Sequence, residues 1–162
     1  MNKKTGYRIV LEDCLDVKEK ETVLIVTDDN KLAIGESLYD EAKAMKAEAM
    51  LMVMKPRKVS GEEPPLAIAE AMKAADVIIC PTTSSLTHTN AKINAVKAGA
   101  RFASMPGITE EMFMEGAITA DYNEVERLTL EFTELLSNAK EAKIIKDGYS
   151  LTMNLEGRKG IP

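Results

Sequence analysis

The stretch DVIICPTTSSLTHTNAKINAVKAGARFASMPG, Asp76 to Gly107, decides the fold. Its opening VIIC, residues 77–80, is apolar without alternation and stops at Pro81, the pattern of a short strand covered on both faces. Such a strand belongs in the middle of a parallel sheet. Six of the next eight residues, 82–89, are Ser or Thr, and His88, the chain's only histidine, stands among them. This is a polar loop at a strand's carboxyl end. From Thr89 or Asn90 the spacing turns helical, with Ile93 and Val96 on one face, Lys92 and Lys97 elsewhere on the surface, and Gly99 placed to end the helix. Residues 102–105 read as the next strand, closed by a Pro106-Gly107 turn. Strand, hydroxyl-rich loop, helix and strand form one right-handed βαβ unit.

Upstream, Tyr7, Val10, Leu11 and Cys14 fall at i, i+3, i+4 and i+7 and predict a short amphipathic helix. Residues 22–27, TVLIVT, predict a second doubly buried strand, followed by the capping-rich turn Asp28-Asp29-Asn30. A covering helix is expected over residues 32–46, with Ile34, Leu38, Ala42 and Met45 inward, and then a strand over 49–54. Pro56, Gly61, Pro64 and Pro65 mark residues 55–65 as a surface loop whose last prolines suit the first turn of a helix over 66–75. Downstream, Thr109 is a good N-cap for a short helix through Met114, with Glu110 and Glu111 in its first turn. Asp121 and Glu124 resemble a capping box, and apolar positions from Tyr122 to Ala142 predict one long helix ending before Gly148. Leu151, Met153 and Leu155 alternate with polar residues, as in a strand with one wet face.

These elements predict an α/β, Rossmann-like three-layer fold with a mainly parallel sheet in the order 2-1-3-4 and helices on both faces. Residues 1–148 form the α/β domain in this reading, and 149–162 a strand and tail. The 162 residues, 45% of them apolar, suffice for a hydrophobic core. Against 26 Asp and Glu stand 21 Lys and Arg with no basic stripe, which argues against nucleic-acid binding. No segment approaches the ~20 apolar residues of a membrane span, and the N-terminus lacks the apolar core of a signal peptide, so a cytoplasmic address with no membrane partner is expected. Cys14 and Cys80 sit among apolar neighbours and are expected to be buried and reduced.

Ligands of doubly wound sheets bind beyond the carboxyl ends of strands where the order reverses, here between the first and third strands. Asp28 and Asp29 are then expected to face Thr82, Thr83, Ser84 and Ser85, with His88 nearby. These are the candidate substrate- or domain-contact residues. The bland alternative is that the hydroxyls and carboxylates only cap loops and helices. No GxGxxG or GxxxxGK[ST] cradle occurs, and no GxSxG elbow surrounds Ser84 or Ser85, so neither nucleotide binding nor serine hydrolysis is expected. One histidine and two cysteines make a poor zinc set, so no metal ligand and no catalytic residue is assigned.

The segments KEKETVLIVTDD, ADVIICPTTSSLTHTNAK, AGARFASMPGITEEMF, DYNEVERLTLEFTELL and SLTMNLEGRKGIP, in this order, resemble the aminopeptidase T, or leucyl aminopeptidase, family of M29-type metallopeptidases. The resemblance implies the N-terminal α/β domain of an enzyme about twice this long, in line with ordinary domain sizes. It further implies that two divalent metal ions, of zinc, cobalt or manganese type, are held by Glu, His, Tyr and Asp residues of a second, catalytic domain. No such ligand position lies within residues 1–162. The parent's substrate would be a peptide, and these residues alone would be inactive. A related branch comprises iron-dependent dihydroxypyridine dioxygenases, and a stand-alone binding or interaction module is a further alternative. Pro162 is expected to be a fragment boundary. The strand 151–155 is then either left without its natural partners, inviting a homodimer, or the fifth strand of the main sheet.

Overall fold

The computed structural model describes residues 4–162. The chain forms two compact units, one ending at Thr119 and one running from Ala120 to Pro162.

The first unit is built on four parallel strands, β1 (Thr22–Asp28), β2 (Glu48–Met54), β3 (Val77–Cys80) and β4 (Arg101–Ser104). Their order is β2-β1-β3-β4, so the chain reverses its direction of winding between β1 and β3 as expected. The two central strands are the unalternating apolar runs: Val23 to Val26 and Val77 to Cys80 have no exposed side-chain surface. Edge position explains why β2 and β4 are only partly covered, with Met50 and Val53 open to solvent.

Side-chain alternation along β1 and β3 feeds two cores. Val23, Ile25, Val77 and Ile79 point to the face covered by α1 (Gly6–Ile9), α2 (Leu32–Ala44) and α5 (Glu110–Met114). Leu24, Val26, Ile78 and Cys80 point to the face covered by α3 (Leu66–Lys73) and α4 (Asn90–Lys97). The result is a three-layer α/β fold. Two glycines set the closeness of its layers. A Cβ on Gly6 would stand 2.2 Å from the carbonyl oxygen of Phe113, where Tyr7 stacks on the Phe113 ring with centroids 4.1 Å apart. A Cβ on Gly35 would lie 2.9 Å from Thr27 Cγ2, so α2 sits against β1 at a distance that admits no side chain there.

Several local expectations are corrected. After α1 the chain makes a π-helical turn, Val10–Cys14, in which Leu15 N–H donates to the Val10 carbonyl at 3.0 Å. The extra residue in that turn rotates the following side chains, so Ile9, Val10, Leu11 and Leu15 face inward and Cys14 is exposed. Cys80 is buried as expected, and burial pushes its thiol pKa well up. On α4 the packed face is Ala91 and Ala95, because small residues let α4 lie close to α3, while Ile93 and Val96 are exposed. Pro65 caps α3 from outside its first turn, and α2 ends at Ala44 with Met45 as its cap.

The second unit departs further. Its helix α6 (Tyr122–Asn138), capped by Asp121, stops ten residues before Gly148. The apolar periodicity that suggested a longer helix continues into β5 (Glu141–Lys146), which pairs antiparallel with β6 (Tyr149–Asn154). Asp147 and Gly148 form the turn with φ of 49° and 81°, the double left-handed conformation that an Asp-Gly pair adopts in a two-residue hairpin. The terminal strand is thus paired within the unit and is not a fifth strand of the parallel sheet. The expected division after residue 148 falls at this hairpin turn.

Candidate functional site

The carboxyl ends of β1 and β3 meet through Asp28. Its carboxylate is fully buried and accepts from the Thr83 amide at 2.5 Å, the Thr83 hydroxyl at 3.0 Å and the Asn30 amide at 3.1 Å. Asn30 Nδ2 donates to Thr83 Oγ1 at 3.1 Å and closes the ring of bonds. Charge-assisted bonds of this kind are roughly twice as strong as neutral ones, so Asp28 pins the two strand ends across the reversal point. It also caps the 3₁₀ turn, residues 29–31, that leads into α2. Asp29, in the same turn, is exposed.

The hydroxyl loop 82–89 is bonded mostly to the protein itself. Thr82, fully buried, donates to the Ser84 carbonyl at 2.8 Å, and Ser84 Oγ donates to the Arg57 carbonyl at 2.9 Å. Ser85 Oγ donates to Thr87 Oγ1 at 2.8 Å and stands 3.4 Å from Ser104 Oγ. Thr89 caps α4 by accepting from the Lys92 amide. Neither Ser84 nor Ser85 bonds His88, which is exposed, so no nucleophile-base pair is assembled here. The geometry therefore joins Asp28 to Thr83 directly, turns the half-buried Ser84 and Ser85 onto the protein's own polar groups and leaves His88 exposed.

Other residues complete the site without having been singled out. After β4 the Pro106-Gly107 turn brings the chain back over the strand ends, where the Gly107 amide donates to the Thr82 carbonyl at 3.2 Å. Lys31 Nζ then donates to the Ile108 carbonyl at 2.8 Å. Between the start of α2 and this returning segment lies an open cavity of about 420 Å³ lined by Asn30, Lys31, Ile34, Ile108, Thr109 and Glu110 among others. On the other side, Glu63 from the proline loop accepts from the Asn90 and Ala91 amides at 2.5 and 3.2 Å, so a carboxylate sits on the amino end of α4. The Pro106-Gly107 turn was legible as a reversal, but its destination depends on tertiary packing.

Among the described residues no group of three or more His, Cys, Asp or Glu side chains is placed to hold a metal ion. No described helix is long and apolar enough to cross a membrane. No protein-family model, no curated protein and no solved structure significantly matches the chain.

Proposed function

We propose that this chain is the N-terminal, non-metal domain of a cytoplasmic metal-dependent aminopeptidase and forms one wall of its peptide-binding cleft. The observation that carries this reading is the β1/β3 end. There a buried carboxylate is spent on holding two loops together, beneath an open cavity and without a nucleophile-base pair. Such a constellation suits positioning and binding. Glu110 and Glu111, which line the cavity, suit the cationic amino terminus of a peptide. The ordered sequence segments that resemble M29-type metallopeptidases supply the reaction class. In such a parent the metals would activate water for attack on the first peptide bond, and that chemistry would belong to the second domain. This chain's own share is to orient the peptide and exclude water from one side. His88, Ser84 and Ser85, at the rim of the β3 end, are assigned to substrate or domain contact.

The test is the reading frame beyond the Pro162 codon. A continuous frame encoding a second domain with Glu, His and Asp ligands is expected, and a stop codon there would overturn the proposal in favour of a stand-alone module. The purified 162-residue chain, given zinc, cobalt or manganese, should cleave leucyl-p-nitroanilide no faster than the metal alone.

A further inference from the structure

Residues 55–63, in the loop between β2 and α3, are held to the first unit without a hydrophobic anchor. No side chain of this segment is buried, and Val59 is 64% exposed. Buried side chains flank it only at its two ends, Met54 on β2 and Pro64 ahead of α3. Between those ends its tethers are hydrogen bonds to the hydroxyl loop and to the start of α4. The Gly61 amide donates to the Ser85 carbonyl at 2.8 Å, the Ser85 amide donates to Ser60 Oγ at 3.2 Å, and Ser84 Oγ donates to the Arg57 carbonyl at 2.9 Å. The last tether is Glu63, whose carboxylate accepts from the first two amides of α4. A carboxylate on the positive end of a helix makes the strongest of these contacts. Within the segment the Lys58 amide donates to Glu62 at 2.7 Å and Arg57 pairs with Glu62 at 3.6 Å, so the loop keeps its own shape when the tethers break.

We infer that residues 55–63 are a strap that lifts from the β3 end as one piece, with Glu63 as its latch, and that the closed strap masks Ser84 and Ser85. Each hydrogen bond broken on lifting is exchanged for one to water and opposes the motion only weakly, whereas opening β1 or β3 exposes both cores. The strap therefore opens locally far more often than the unit unfolds. Closed, it engages the Ser84 hydroxyl and both main-chain groups of Ser85. A main-chain donor and acceptor on one residue are the groups to which an extended peptide bonds, so the closed strap is an autoinhibitory contact. That a peptide is what enters rests on the function proposed above; the lifting itself does not.

Hydrogen exchange of the full chain tests the lifting. The amides of Gly61 and Ser85 should exchange together, about a hundredfold or more faster than those of Val23 to Val26, and with little response to dilute urea. Glu63→Ala should speed both by about tenfold, although Glu63 bonds neither, because unlatching frees the whole strap. Access is read separately. In a Cys14→Ser background, Ser84→Cys should react with a thiol reagent about tenfold faster once Glu63→Ala is added. Gly61 and Ser85 amides that exchange only when β1 does would overturn the inference. So would a Glu63→Ala effect confined to the Asn90 and Ala91 amides, the result expected of a plain helix cap, or equal thiol reactivity with and without Glu63→Ala. None of these readouts uses peptidase activity, so a strap that lifts in a chain whose reading frame stops after Pro162 sustains this inference while overturning the proposed function.

Discussion

The two units use hydrophobic residues in opposite ways. In the first, β1 and β3 bury their side chains on both sides of the sheet, and even the loops at their carboxyl ends bond back onto the protein. In the second, no side chain of the helix or the hairpin is buried. The difference teaches where stability resides. Apolar area removed from water contributes roughly 25 cal/mol per Å², so the two buried clusters of the first unit hold most of the stability.

The sharpest way to break this comparison is a paired truncation. Leu24→Ala, in the centre of β1, should destabilise the chain by about 2–5 kcal/mol, whereas Leu130→Ala, half exposed on α6, should cost about 0.5 kcal/mol or less; urea denaturation reads both. Equal effects would mean that the two units share one core. Next in size is Gly6→Ala, which drives a methyl group into the backbone of Phe113 and should cost about 3 kcal/mol by the same measurement, with loss of the Tyr7–Phe113 stacking signal in near-ultraviolet spectra. Asp28→Ala removes a buried carboxylate and leaves the amide and hydroxyl of Thr83 without their acceptor, and should cost about 2 kcal/mol. A merely capping role for Asp28 would cost nearer 1 kcal/mol. Smallest is a difference in reactivity: Cys14 should be modified by a thiol reagent in the native chain and Cys80 only on unfolding. Because burial raises the Cys80 pKa, its contribution to stability is complete below the thiol's unfolded pKa. It declines above that, as the unfolded thiol ionises and the folded one does not, at up to about 1.4 kcal/mol per pH unit.

The sequence made the sheet legible because its central strands are unbroken apolar runs and its turns are marked by Pro81, Gly99 and Pro106. Periodicity was least informative where two structures share a pattern. Ala139 and Ala142 continue the helical spacing of α6, yet the Asp147-Gly148 pair, which begins nine residues beyond the end of the helix, is a hairpin signal that wins once β6 is available as a partner. On α4 the large residues Ile93 and Val96 drew attention, but close helix packing selects the small ones. The π-helical turn that exposes Cys14 leaves no mark in residue spacing. At the site, the proximity of Asp28 to Thr83 followed from strand order, since the reversal between β1 and β3 forces their loops together. The contributions of Ile108, to which Lys31 donates, and of Glu63 did not, because each comes from a loop whose path is set by contacts distant in sequence.

Native-state hydrogen exchange tests the contrast between the units most directly. The account predicts that amides of Thr22–Asp28 and Val77–Cys80 exchange only through global unfolding, while those of Tyr122–Asn138 and Glu141–Asn154 are weakly protected. Protection of the second unit equal to that of β1 would contradict it.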